Sequence, residues 1–285
     1  MPQPPEELRT AARLQRVPKS SWGTPTRSIR DIALPALFFM ALLLAWELAV
    51  RVGQIAEYLL PAPSAIGKAL ISHQLLLWQN AWATVQAVGL GLVLALGVGL
   101  AFGIMLFYSP LLERMIYPLL IISRNIPYYA VAPILIVWLG FGLLPKVIVG
   151  ALIAFFPIVV NTHDGLKSVD PDLVKLLRAL GASRLQIFFK VRFPAALPVI
   201  LSGVKLGAVF TVVGALFGEL IGGPRWTPGG IIGGLGYLMR EAANRGALDI
   251  SFAAMVWLSA LSLALFGIVA LLERYLLRWQ TCERT

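Results

Sequence analysis

The sequence predicts an all-α membrane protein with about six transmembrane helices. Of its 285 residues, 58% are hydrophobic and only 13% are charged, whereas soluble domains average about 45–50% and about 25%. Several apolar runs approach or exceed the roughly 20 residues that a helix needs to cross a bilayer core. They lack the alternation of outer-membrane barrel strands. The predicted spans are 33–50, 83–107, 115–140, 145–161, 195–222 and 251–272, and the third is interrupted by the Ser-Arg-Asn-Ile-Pro sequence at 123–127.

The net charge of +10 indicates either nucleic-acid binding or a basic cytoplasmic face. Six spans place the basic N-terminal tail, the connection 162–194 and the C-terminal tail on one side of the membrane. Cytoplasmic loops are enriched in Lys and Arg, so the sequence favours a membrane protein with no nucleic-acid partner and with both termini in the cytoplasm. We predict a cytoplasmic tail at 1–32, a transmembrane domain at 33–272 and a second cytoplasmic tail at 273–285.

The longest basic connection contains the segment LRALGASRLQIFFKVRFPAALP, residues 177–198. Just before it, Asp170 and Pro171 form a helix start, because Asp caps a helix and Pro at the first position loses no hydrogen bond. Gly181 is placed to end this helix, since glycine readily adopts the left-handed conformation. An apolar stripe at helical spacing lies between these points, made of Leu173, Leu176, Leu177 and Leu180.

A second short helix is predicted directly after this glycine. Ser183 and Gln186 have the S-x-x-Q spacing of a capping box, and Pro194 is expected to end the helix before the fifth span. The residues leave three roles open for the two helices. They are an amphipathic pair on anionic lipid, a pair packed only on its own bundle, or a docking element for a cytoplasmic partner.

The spacing from Gly181 to Pro194 resembles the EAA motif of ATP-binding-cassette (ABC) importer permeases. That motif has a Glu-Ala-Ala-like stretch, a glycine, nine residues and Ile-x-Leu-Pro. Here Val191 and Phe193 are apolar replacements, and Lys-Leu-Leu at 175–177 stands where Glu-Ala-Ala is usual. Four further stretches resemble permeases for nitrate, sulfonates, taurine and vitamin precursors: LLPAPSAIGKAL (59–70), NIPYYAVAPILIVWLGFG (125–142), AFFPIVVNTHDGLKSVDP (154–171) and GGLGYLM (233–239).

The resemblance implies a type I ABC-importer permease fold in the bacterial inner membrane, with coupling helices at about 171–193. Two permease copies in a homodimer would form the channel, and cytoplasmic ABC ATPase subunits would grip the coupling helices. A periplasmic or extracellular solute-binding protein would deliver a sulfonate-, taurine- or nitrate-like anion. A vitamin or its precursor, of the pyrimidine or riboflavin type, is the alternative solute. The residues expected to couple to the ATPase are Leu177, Arg178, Gly181, Ala182, Ser183, Arg184, Phe188 and Pro194.

The sequence contains no G-x-x-x-x-G-K-[ST] phosphate-binding loop. We therefore expect ATP to be used by the partner ATPase, and this chain to be non-catalytic, without a cofactor. We also expect no metal site, because its two histidines are isolated. A secondary transporter, the lower-ranked alternative, would carry acids or histidines deep in several spans, and a membrane-embedded enzyme would need a cluster of catalytic residues.

Arg124, Asn125, Pro127 and Glu219 are candidates for the translocation pathway. A charge within an apolar stretch is costly and usually faces a cavity, a partner or water, and a proline interrupts the helical hydrogen bonds where backbone lines a cavity. Alternatively, Arg124 lies in a short loop near the cytoplasmic face and not in the pathway. In the pathway it would attract an anionic solute or pair with Glu219.

Two glycine patterns are also informative. Four-residue glycine spacing in the fifth span permits close helix approach, either within one subunit or at a dimer seam. The glycine-rich stretch 228–236 predicts a turn or a short re-entrant segment near the outer gate.

Overall fold

The computed structural model describes residues 29–123, 127, 130–227 and 230–278. The chain divides into two compact units, residues 1–49 and 50–285. Helix α1, Ile29–Val52, accounts for the described part of the first unit and extends into the second. Its segment Ala33–Val52 is long and apolar enough to cross a membrane, as predicted for the first span.

The second unit is almost entirely helical in its described residues. One short antiparallel hairpin, which the sequence did not predict, interrupts the helices. The elements are α2 (Pro63–Ser72), α3 (Gln74–Tyr108), α4 (Pro110–Ser123), α5 (Val131–Leu139), α6 (Leu143–Lys167), α7 (Pro171–Ala179), α8 (Arg184–Ile187), a π-helical turn (Phe188–Arg192), α9 (Phe193–Ile221), β1 (Arg225–Thr227), β2 (Gly230–Ile232), α10 (Leu235–Asn244) and α11 (Leu248–Leu276).

Five helical segments among the described residues are long and apolar enough to cross a membrane. The third predicted span, 115–140, is divided between α4 and α5, which have 14 and 9 residues, around the interruption predicted at 123–127. Each is shorter than the roughly 20 residues of a full crossing. Pro127 lies between them and has no amide hydrogen for a helical ladder. The five segments are Ala33–Val52, Gln74–Tyr108, Leu143–Lys167, Arg184–Ile221 and Leu248–Leu276.

Helices α6 and α9 form the centre of the second unit, and glycines bring them close together. A Cβ added at Gly214 would lie 2.6 Å from the Cα of Gly150, and one at Gly203 would lie 2.5 Å from the Cβ of Asn161. These are closer than real Cβ contacts, so a side chain at either glycine would force the helices apart. Helix α3 packs on α6 in the same way, because Gly99 meets the Ile158 side chain. The glycine stripe of the fifth span therefore serves packing within one subunit.

We predict that Gly214→Ala lowers the free energy of unfolding by about 1–3 kcal/mol, because the added methyl group overpacks the α6–α9 contact. Gly97→Ala is the matched control, because a Cβ at Gly97 has no atom within 4 Å. Removing a glycine from a helix interior stabilises it by up to about 1 kcal/mol. Thermal unfolding in detergent measures both changes, and equal effects of the two substitutions would contradict the close packing.

Candidate functional site

Two short helices, α7 and α8, lie between the α6 and α9 spans, and both begin as predicted. The Asp170 side chain accepts a hydrogen bond from the Asp172 amide at 2.8 Å, with Pro171 as the first helical residue. Ser183 and Gln186 form the full capping box, with the side chain of each accepting from the other's backbone amide. These bonds satisfy amides that have no partner within a helix.

Gly181 sits between the two helices with φ +84°, in the left-handed region that glycine adopts at little cost. Its amide donates to the Arg178 carbonyl at 3.0 Å, and the next amide, of Ala182, donates to the Leu177 carbonyl at 3.0 Å. These bonds close the end of α7 and reverse the chain into α8. The predicted glycine turn is confirmed, and it fixes the angle between the two helices.

The prediction that Pro194 ends the second helix is wrong. Residues Arg184–Ile221 form one continuous helical segment, with the π-helical turn Phe188–Arg192 immediately before the proline. In this turn the Phe193 amide bonds to the Phe188 carbonyl, five residues back. Pro194 has no amide hydrogen to donate, and the altered hydrogen-bond ladder accommodates it. Helix α8 therefore continues without a break into the span α9.

We call residues 170–193 the coupling element. Val174 and Ile187 of its two helices form a small core with Val169, the residue just before the element. Phe188 is also buried and packs with residues of α3, α6, α9 and α11, so it attaches the element to the bundle. The predicted apolar stripe of α7 does not form this core: Leu177 is partly buried, whereas the rest of the stripe is exposed. The exposed large apolar side chains of the element are Leu173, Leu176, Leu180, Leu185 and Phe189.

The other predicted coupling residues lie around this apolar surface. Arg178, Ser183 and Arg184 are exposed, and Pro194 is half-buried. Arg178 and Arg184 line a cavity of about 320 Å³ beside the end of α3, together with Arg192. The Arg192 guanidinium stacks over the Phe107 ring at 4.6 Å. The coupling element thus presents an apolar surface beside a strongly basic groove.

A cluster of charged side chains ties α4 to the end of α6, directly before the coupling element. Lys167 pairs with Glu113, and the buried His163 ring lies between Glu113 and Asp164. The Tyr117 hydroxyl donates to the Asp164 carboxylate at 3.0 Å. The hydrogen bond from Lys167, with the charges of Lys167 and His163, holds the pKa of Glu113 below its usual range. The cluster fixes the direction in which α6 enters the coupling element.

At the opposite end of α6 and α9, four side chains form a buried polar cluster, which we call the polar clasp. Its members are Asn80 and Thr84 on α3, Lys146 on α6 and Glu219 on α9, all buried. They bind the backbone of residues 233–236, at the start of α10. The first amides of a helix have no partner within it, and the clasp supplies their acceptors.

The hydrogen bonds of the clasp are specific to individual backbone atoms. The Asn80 Oδ1 accepts from the amides of residues 233 and 234 at 3.2 and 3.1 Å. The Thr84 Oγ1 accepts from the Leu235 amide at 2.9 Å. Glu219 Oε2 accepts from the Gly236 amide at 2.8 Å and from the Thr84 hydroxyl at 3.1 Å. The Lys146 ammonium donates to the carbonyl of residue 233 at 2.7 Å.

Gly234 is required where the clasp closes on the backbone. Its φ of +93° lies in the left-handed region, and a Cβ there would overlap the Glu219 carboxylate. The stretch 228–236 was predicted to form a turn or a short re-entrant segment. In its described residues it is strand β2 followed by a backbone turn, and buried side chains hold that turn.

The four predicted pathway residues are not brought together in the described part of the chain. Arg124 and Asn125 lie outside the described residues, Pro127 lies between α4 and α5, and Glu219 belongs to the polar clasp. Pairing between Arg124 and Glu219 stays a prediction.

The other three members of the clasp were not predicted from the sequence. Asn80 and Thr84 are spaced at i and i+4, which places two polar side chains on one face of an apolar helix. Lys146 is a charged residue in the first turn of a span, where it is costly unless paired or facing a cavity. Both signals were present in the sequence.

We predict that Thr84→Val increases amide hydrogen exchange in residues 233–238, because the Leu235 amide and Glu219 each lose a partner. Leaving a buried polar group unsatisfied costs about 1–3 kcal/mol. Thr162→Val is the matched control: Thr162 is equally buried, but its hydroxyl bonds only to the Ile158 carbonyl of its own helix. Hydrogen exchange with mass spectrometry measures both variants, and unchanged exchange in Thr84→Val would contradict the role of the clasp.

Comparisons with known proteins agree with this architecture. Residues 87–278 match the family model described as "Binding-protein-dependent transport system inner membrane component". One solved structure, the methionine ABC transporter MetNI in an inward-facing conformation, aligns with a TM-score of 0.61 and 21% identity over 72% of this chain and 98% of the other. That similarity shows a shared fold.

Three curated relatives cover most of both chains. A formylaminopyrimidine transport permease from Halalkalibacterium halodurans is 36% identical over 86% of this chain and 95% of its own length. A riboflavin transport system permease from Chloroflexus aurantiacus is 36% identical over 93% and 98%. A putative aliphatic sulfonates transport permease from Bacillus subtilis is 31% identical over 88% and 88%. The chain therefore belongs to the family of inner-membrane permease components of binding-protein-dependent ABC transport systems.

Proposed function

We propose that this chain translocates a small organic solute, driven by ATP hydrolysis on a partner subunit. The solute is a sulfonate-, taurine- or nitrate-like anion or, as the alternative, a vitamin precursor of the pyrimidine or riboflavin type, because the relatives are named for solutes of both classes. The coupling element carries the proposal. It is an ordered pair of helices that joins two membrane spans and exposes apolar side chains away from its own bundle.

The geometry of the coupling element suits the transfer of force. A helix that continues from Arg184 to Ile221 transmits a push on α8 directly into the span α9. The buried Phe188 and the charged cluster of Glu113, His163, Asp164 and Lys167 hold both ends of the element against the bundle. Movement of the element therefore moves α6 and α9 together, as rigid-body alternating access requires.

The surface of the element indicates the chemistry of its partner. Leu180 and Leu185 are 75% and 68% exposed, which favours insertion into an apolar cleft. Arg178, Arg184 and Arg192 line one groove and have no ion-pair partner among the described residues. We propose that the partner ATPase offers an apolar cleft edged by carboxylates. At the position of Lys175 the EAA motif usually has an acid. In this chain Lys175 pairs with Asp172 at 2.8 Å.

The remaining partners follow from the family. We propose that the channel is a homodimer of this chain in the bacterial inner membrane, with both termini cytoplasmic and with lipid around its apolar helices. A solute-binding protein would deliver the solute on the outer side. Co-purification of two differently tagged copies tests the homodimer, and accessibility of tags at each terminus in sealed vesicles tests the orientation.

We predict that Leu180→Ser and Leu185→Ser weaken ATPase binding by about tenfold or more, as expected for apolar anchors at an interface. ATP-driven solute uptake into proteoliposomes should fall in parallel. The assay is co-purification with the cognate ABC ATPase, followed by uptake with the cognate solute-binding protein.

Leu111→Ser is the matched control, because Leu111 is also 68% exposed and lies near the same predicted membrane face on α4. This variant should retain the ATPase. Equal loss in all three variants would indicate a general effect on folding, and retention of the ATPase in all three would contradict the docking role.

A further inference from the structure

A cavity of about 300 Å³ lies directly beside the polar clasp. One wall is a single face of α3, with Gln79, Trp82 and Gln86 at i, i+3 and i+7. The opposite wall is the start of α6, and Ile232 of strand β2 completes it. At about 1.5 Å per residue, the two glutamines are roughly 10 Å apart along the helix, with the indole between them.

The lining of this cavity combines one aromatic surface with two carboxamides. The side-chain carboxamides of Gln79 and Gln86 make no hydrogen bond to any other described residue, and Trp82 is 55% exposed. A carboxamide offers both a donor and an acceptor, so it matches a ligand edge that also carries both. The indole offers a flat apolar face on which a planar ring stacks. Aromatic and polar groups converging in a pocket are typical of small-molecule sites.

The charge of the lining favours an uncharged ligand over an anion. Among the lining residues, Lys146 is the cation, and its ammonium already donates to the carbonyl of residue 233 at 2.7 Å. Lys146 is also only 5% exposed, so little of its ammonium is accessible to a ligand in the cavity. A sulfonate would need charge-assisted donors, which the carboxamides do not replace.

We infer that this cavity is a solute subsite for a small, planar, uncharged heterocycle with amino and ring-nitrogen groups, stacked on Trp82 and hydrogen-bonded to Gln79 and Gln86. The inference rests on the proposed transport function and narrows its solute class to the aminopyrimidine type. The volume lies at the lower limit of ligand pockets, about 300–1,000 Å³, and so suits one ring. The subsite adjoins the clasp through Lys146, which belongs to both.

The test measures equilibrium binding to the full permease–ATPase complex in lipid nanodiscs by isothermal titration calorimetry. The probes are 4-amino-2-methylpyrimidine for the heterocycle and taurine for the anion. We expect the pyrimidine to bind and taurine to bind far more weakly. Gln79→Leu and Gln86→Leu should each weaken pyrimidine binding by about five- to tenfold, as for loss of one hydrogen bond.

Two tryptophan substitutions give the matched comparison. Trp82→Leu should weaken pyrimidine binding by about tenfold or more, and Trp82→Phe should have a smaller effect because it keeps an aromatic face. Trp78→Leu should leave binding unchanged, since Trp78 is similarly exposed on the same helix but packs against Trp257 and does not line the cavity. Unchanged elution and melting temperature show that each variant is folded.

Three results would overturn the subsite. They are tighter binding of taurine than of the pyrimidine, absence of pyrimidine binding, and equal effects of Trp82→Leu and Trp78→Leu. Failure of the transport proposal is separately visible, as a complex that does not retain its ATPase or import any solute. If the complex imports solute but substitutions of Gln79, Trp82 and Gln86 leave pyrimidine binding unchanged, only the subsite is overturned.

Discussion

The close approach of α6 and α9 is the constraint on which the rest of this permease depends. Glycines at 150, 203 and 214 leave no room for side chains between the two helices, so the pair behaves as one body. One end of the α6–α9 pair adjoins the coupling element. Lys146 and Glu219, which belong to the polar clasp, lie at its other end. From Phe193 to Glu219 the helix rises by about 39 Å at 1.5 Å per residue. A packed pair of this length joins the two functional ends of the molecule.

This arrangement explains why the helix from Arg184 to Ile221 continues through Pro194. A break at the proline would place a hinge between the coupling element and the span that we propose it moves. The π-helical turn at Phe188–Arg192 keeps the backbone continuous, and Phe188 fills the space between the turn and the bundle. The glycine at 181 supplies the one sharp reversal, between α7 and α8. In the proposed coupling, a displacement of the exposed leucines would therefore be passed on to α9 rather than absorbed by a hinge.

Local signals in the sequence predicted the helices, the capped starts of α7 and α8 and the turn at Gly181, because caps and turns depend on residues close in sequence. Three features depend on contacts distant in sequence and could not be settled from local signals. The sequence around Pro194 predicts a helix end, but the packing of Phe188 and a shifted hydrogen-bond ladder keep the helix continuous. The leucine stripe of α7 left open which residues are buried, and Val174, which lies off the stripe, is the buried residue. Asn80, Thr84 and Lys146 acquire their role only when residues 233–236 fold back between α3, α6 and α9.

The polar clasp also limits how its own end of the molecule can move. Separating α10 from α3 and α9 would leave four backbone amides, at 233–236, without the side-chain acceptors that they now have. Each buried polar group left unsatisfied costs about 1–3 kcal/mol, so water or a new partner must enter as the clasp opens. The proposed subsite lies where such an exchange would begin, since Lys146 lines the cavity and binds the clasped backbone at once. A ring stacked on Trp82 would occupy that entrance, so solute binding and opening of the clasp would compete for the same space.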